Sequence, residues 1–168
     1  MDEIKKITNS KVKSFLTQFL TNRNINIEFY KRVPEDKLDF RMVDNPDRKA
    51  DSIRESLGHQ IGAERDYVIA LETGKLEFVS GDDKNLKSLS REEALQRLQE
   101  LDKKLIEELS NDDIANKLII VPWSQEPVSA VTMLYGLNDH EILHTGWNLA
   151  LMDLLNIERF PALKDMWG

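Results

Sequence analysis

The amino-acid sequence predicts an all-α protein, a four-helix bundle with long connectors, as one domain over residues 1–168. Two observations carry this. Four segments repeat apolar residues at three- and four-residue spacing, and β patterning is confined to one short alternation.

In the first segment Val12, Phe15, Leu16, Phe19, Leu20, Ile27 and Tyr30 form one helical stripe, and Pro34 closes it. The second runs from about Ser52 to Thr73 with Ile53, Leu57, Ala63, Tyr67, Val68 and Leu71 inward and Gly74 placed as C-terminal cap. The third opens on Ser90 with Glu93 three residues later, a capping-box spacing, and its leucines carry it to about residue 109. The fourth runs from near Pro127 to Leu155, apolar on most sides and so expected to be the most buried. The first connector, 32–51, alternates Leu38, Phe40 and Met42, which suits a short extended piece or a loop docking its apolar side chains. The second contains the turn signal Gly81-Asp82-Asp83. Phe160, Leu163, Met166 and Trp167 mark a tail that packs on the bundle or on a second subunit.

Composition excludes several chemistries. The chain has no cysteine, so any disulfide, thiolate nucleophile or cysteine-held cluster is absent, and a reacting thiol has to arrive with a ligand. The 23 Lys+Arg against 30 Asp+Glu give a net charge of -7, which repels a nucleic-acid backbone. The most apolar stretch, 128–155, is interrupted by Asp139, His140, Glu141 and His144, which makes it a core helix and not a membrane span. MDEIKKITNS lacks the apolar run of a signal peptide, so the expected setting is cytoplasmic, without membrane or nucleic-acid partners.

The three histidines carry the chemistry. His140 and His144 are four residues apart, so their Cβ atoms stack about 5–6 Å apart on one helix face. Met133, Leu137, Leu143, Trp147 and Leu151 lie along or beside that line, which places the imidazoles inward, where they are either satisfied core groups or ligands of a divalent cation. Residues 140–144, HEILH, also match the H-E-x-x-H peptidase pattern, yet no histidine follows His144 to complete it. His59, between Gly58 and Gly62 at the edge of the second helix, can converge with the pair. Three imidazoles leave coordination positions open, which suits a catalytic ion: zinc, nickel, cobalt or iron. Glu141 is either a solvated or interfacial carboxylate or an acceptor or base beside the site, and Glu64 either reaches an imidazole or substrate or pairs with an arginine. Asp139 reads as a surface or packing residue, Trp147 as core or pocket wall, and Arg32 and Arg41 as loop arginines or anion contacts.

The segments RVPEDKLDFRMVDNPDRKADSIRESLGHQIGAERDYVIAL, HEILHTGW and LNIERFPAL resemble the DinB superfamily over nearly the whole chain, in the damage-inducible and YfiT-like type of four-helix bundle. The resemblance implies a divalent metal, nickel or zinc, on His59, His140 and His144, and a homodimer. It implies either a transferase using a low-molecular-weight thiol or a hydrolase of small molecules. Trp147 stands where many members have glutamine after the glycine matched by Gly146. The competing reading is a non-catalytic, metal-stabilised dimeric bundle.

Overall fold

The computed structural model describes residue 4 and residues 7–167. Four long helices form its body: α1 (Ser10–Arg32), α2 (Ile53–Thr73), α4 (Arg91–Leu109) and α5 (Ala130–Leu155), with a one-turn helix α3 (Lys84–Lys87) and a final α6 (Pro161–Trp167). The fold is the predicted helical bundle, in which α1 packs chiefly on α5 and α2 chiefly on α4. No helix among the described residues is long and apolar enough to cross a membrane.

Side chains set the helix boundaries. The Asn9 side chain accepts from the Lys11 and Val12 amides at 3.0 and 3.2 Å, starting α1. Both capping boxes close: the Ser52 amide donates to Glu55 at 2.8 Å, and the Ser90 amide donates to Glu93 at 3.0 Å. Gly74, at φ 82, ends α2 in the left-handed conformation. The fourth helix begins at Ala130, later than the expected Pro127. Val128–Ser129 (β2) pairs antiparallel with Leu118–Ile119 (β1), and Ser129 caps α5 by accepting from the Thr132 amide. Two-residue strands carry too little alternation to be seen in sequence.

The first connector is a loop that docks its apolar side chains. Leu38 is buried, and Phe40 and Met42 rest against the cluster formed by Phe29, Ile53 and Leu57. The tail packs within the chain, with Phe160 and Leu163 buried in that same cluster. Residues 1–3, 5 and 6 of the N-terminal segment, Gly168 and the Trp167 side chain lie outside the described residues.

The core is divided. One apolar cluster, around Phe15, Phe19, Leu71 and Leu134, fills one end of the bundle, and the second, around Phe29, Leu57, Leu98 and Met152, fills the other. Along the helices, the residues between the clusters are buried polar groups: Asn22, Arg23 and Asn26 on α1, Gln60 and Glu64 on α2, and Asn138, Glu141, Thr145 and Asn148 on α5. The histidines lie beside this polar layer.

Candidate metal centre

His59 comes from α2 and His140 and His144 from α5. His59 Nε2 lies 3.0 Å from His140 Nε2, and His144 Nε2 lies 3.2 Å from the same atom. Metal bonds of about 2.1 Å put two nitrogens about 3.0 Å apart at a right angle and about 3.4 Å apart at the tetrahedral angle. The observed spacings fall within that range, so the donor set fits a divalent ion.

The Gly81 carbonyl fixes the tautomer of His59, and Ser56 permits the same tautomer at His144. His59 Nδ1 is 3.1 Å from the Gly81 carbonyl, which can only accept; Nδ1 therefore carries the proton and Nε2 presents its lone pair. His144 Nδ1 is 3.1 Å from Ser56 Oγ, which can accept its proton and leave that Nε2 bare as well. Without an ion, His140 Nε2 can donate to only one of its two neighbours, while one cation engages all three lone pairs. His140 Nδ1 is buried with no hydrogen-bond partner among the described residues. Burial, then His59 and Arg23, lowers His140 to about 4. Burial, then His140 and His59, holds His144 well below the ordinary imidazole value. Both rings are neutral at pH 7 and able to ligate.

The two glycines on α2 serve this arrangement. A Cβ on Gly58 would stand 2.6 Å from Lys87 Cα, and one on Gly62 would stand 2.8 Å from Gly81 Cα. The chain from residue 80 to 87 therefore lies directly on the α2 backbone, which brings the Gly81 carbonyl to His59. The space that the two missing side chains leave is filled by backbone of this segment.

Two depressions flank the histidines and share His59, His140 and Leu143. One, of about 400 Å³, extends along Tyr67 and Phe78; the other, of about 390 Å³, extends along Ser56 and Trp147. Trp147 is thus a pocket wall, and Asp139 lines the first depression from an exposed position. Leu143 departs from the expected inward stripe and is 72% exposed. The pair His140 and His144 sits at the edge of the buried face of α5, and Leu143 falls on its solvent side.

Both candidate carboxylates lie inside the bundle. Glu141 is fully buried, which overturns the solvated reading; it accepts from Asn26 Nδ2 at 2.8 Å and lies 3.1 Å from Arg23 Nη1. Glu64, also fully buried, accepts from Arg23 Nη2 at 2.7 Å, the arginine pairing that the sequence left open. Asp102 completes the group, 3.5 Å from Arg23 Nε. With the Glu141 carboxylate held by Asn26 and Arg23, HEILH does not present a free base in the manner of a peptidase. Arg41 pairs with Glu55 and donates to the Ala50 carbonyl, and Arg32 lies over the Phe160 ring, so neither is among the residues lining the two depressions.

Arg23 was not singled out in the sequence, yet it joins this carboxylate group to the centre. Arg23 Nη1 is 3.5 Å from Gln60 Oε1, the Gln60 amide donates to the Tyr30 hydroxyl, and Tyr30 Oη is 3.4 Å from Ser56 Oγ, the partner of His144.

The buried carboxylates make stability depend on pH. Burial pushes Glu64 well above the usual carboxyl range; Arg23 opposes this, while Asp102 and Glu141 add to it. A carboxyl raised in the folded state contributes stability that is present at low pH and lost as pH rises through the raised value. Glu64→Gln, fixed in a neutral form, is expected to melt above the wild type at pH 8 and to converge with it toward pH 5 in thermal melts. Each tenfold of displaced proton affinity is worth about 1.4 kcal/mol, or about 3–5 °C for a chain of this size. A wild-type advantage that grows with pH would show the opposite linkage.

The family comparison covers the same elements. The DinB superfamily model matches residues 18–147, a span that contains all three histidines. The chain belongs to the DinB superfamily. No curated protein matches the chain. The match begins inside α1 and ends at Trp147 in α5, so the superfamily pattern covers α2, α4 and the segment seated on Gly58 and Gly62.

Proposed function

We propose that this DinB-superfamily chain is a metal-dependent enzyme in which His59, His140 and His144 hold a divalent ion, zinc or nickel, through their Nε2 atoms. The observation that carries the reading is the convergence of three imidazoles between two depressions. When bound, the ion would lower the pKa of a thiol or a water molecule and so supply a nucleophile at neutral pH.

The chain's own residues orient and shield. The Gly81 carbonyl and Ser56 fix two of the rings, and the α2–α5 packing sets their separation. Leu143 and Trp147 wall the second depression with apolar surface. The presence of two depressions favours an S-transferase using a low-molecular-weight thiol, with one depression for the thiol and the other for its co-substrate. A small-molecule hydrolase needs only one. On this reading the protein works as a cytoplasmic homodimer of YfiT-like type.

Cobalt-substituted protein titrated with cysteamine and with N-acetylcysteine tests the proposal. A thiolate-to-metal charge-transfer band that is absent in His140→Ala supports the transferase. An unchanged spectrum with hydrolysis of simple esters moves the reading to a hydrolase. Neither response would leave a metal-stabilised bundle and overturn the enzyme reading.

A further inference from the structure

We propose that the depression along Tyr67 and Phe78 is a recognition pocket for a primary organic ammonium ion carried on an apolar or aromatic body. The proposal rests on the metal-enzyme reading for the identity of the reacting group, though not for the charge that the pocket prefers.

The pocket has an aromatic wall. The Tyr67 and Phe78 ring centroids are 6.0 Å apart, and Phe78 stacks on Trp123 at 6.1 Å, with Phe78 56% and Trp123 52% exposed. Gly136 lets the Tyr67 hydroxyl lie directly against α5, since a Cβ there would stand 2.8 Å from Tyr67 Oη and 3.7 Å from Trp123. Aromatic faces attract cations and give nothing comparable to anions.

Apart from an ion on His59 and His140, the charge that lines the pocket has one sign. Asp66, Asp82 and Asp139 line it, and no lysine or arginine does. Asp82 is engaged by Lys87 at 3.0 Å, which leaves the other two carboxylates. Asp66 is the decisive group. It is 2% exposed, and its Oδ2 accepts from the Val79 and Ser80 amides at 3.0 and 2.9 Å. Its Oδ1 is buried without a hydrogen-bond partner among the described residues. A buried carboxylate oxygen left unpaired is costly, and a cation in the pocket that Asp66 lines would offset its charge. Asp139, on the exposed side, has no ion-pair partner among the described residues. Its field adds to burial in pushing the Tyr67 hydroxyl up to about 12, which places its charge beside the aromatic wall.

The probes are 2-phenylethylamine, 2-phenylethanol and phenylacetate, which share a phenyl group and differ in charge. Calorimetric titration at pH 7 and low salt, on metal-free protein, is expected to show the amine binding at least about tenfold more tightly than phenylacetate, with the alcohol between them. Asp139→Asn, at an exposed position, should reduce the preference without affecting the melt. Asp66→Asn, which keeps an acceptor for the Val79 and Ser80 amides, should reduce it further, and Phe78→Ala should weaken all three probes. Phenylacetate binding as tightly as the amine, or a preference that survives both aspartate changes, would overturn the proposal. Zinc uptake measured on the same preparation separates the two readings. Protein that takes up no zinc yet prefers the amine overturns the metal centre alone; protein that takes up zinc but whose metal-free form is indifferent to probe charge overturns the pocket alone.

Discussion

Arg23→Met is expected to cost the folded state about 3–5 kcal/mol and lower the melting temperature by about 10–15 °C at pH 7. The Arg23 side chain is fully buried and faces Glu64 at 2.7 Å, Glu141 at 3.1 Å and Asp102 at 3.5 Å. Burial alone would lower the guanidinium's proton affinity, yet the three carboxylates outweigh it and hold the group charged. The group therefore stabilises mainly by neutralising what surrounds it, with a contact over the Phe19 ring, 5.1 Å from its centroid, as a smaller contribution. Met fills a comparable apolar volume but leaves three carboxylates without a cation. Protonation relieves part of that cost, because burial raises all three carboxyls above their usual range. The loss should therefore shrink as pH is lowered toward 5. Pairing Arg23→Met with Glu64→Gln should recover part of it. Denaturant unfolding at pH 7 and pH 5 checks both, and a loss below about 1 kcal/mol at pH 7 would show that the pairing contributes little.

His140→Ala is expected to reduce bound metal from about one ion per chain to near zero, measured by elemental analysis of protein reconstituted with zinc or nickel. His140 Nε2 is the atom within 3.2 Å of both other Nε2 atoms, so its removal leaves a pair joined through no common neighbour. His144→Ala and His59→Ala should each lower occupancy as well. In wild-type protein a chelator should depress the melting temperature: an ion at one hundred times its dissociation constant adds about 2.7 kcal/mol to the folded state. That corresponds to about 5–10 °C for a chain of this length, and the difference should vanish in His140→Ala. Unchanged metal content in the variant would remove His140 from the ligand set.

The helices and the three histidines were legible in the sequence for a common reason: each announces itself locally. Apolar spacing gave the helix faces, Ser90 with Glu93 gave a start and Gly74 gave a stop. The three histidines had no competing site. The polar layer was not legible, because a buried asparagine and a solvated one look alike until the partner helix is known. The trace of it was the gap in the α1 stripe between Leu20 and Ile27, where Asn22, Arg23 and Asn26 stand. The sequence leaves Glu141 open between solvent and the interior for the same reason. Its strip with Asn138, Thr145 and Asn148 is polar, yet that strip faces α1, where the Asn26 amide donates to Glu141 and its carbonyl oxygen accepts from Thr145 and Asn148. Leu143 erred the other way, an apolar residue beside two histidines that themselves mark a boundary between core and solvent.

The polar layer also bears on which arrangement of the bundle is adopted. Leucine and phenylalanine stripes tolerate sliding past one another, since one apolar contact replaces another at little cost. A slip of one helical turn, about 5.4 Å, would carry Arg23 out of reach of Glu64 and Glu141 and toward an apolar end of the bundle, with its charge uncompensated. The same slip would draw Asn22 and Asn26 away from Asn138, Glu141 and Asn148. The hydrophobic ends supply cohesion without choosing a register, and the charged middle chooses it. His59, one residue before Gln60, and His140, one before Glu141, inherit their alignment from that choice.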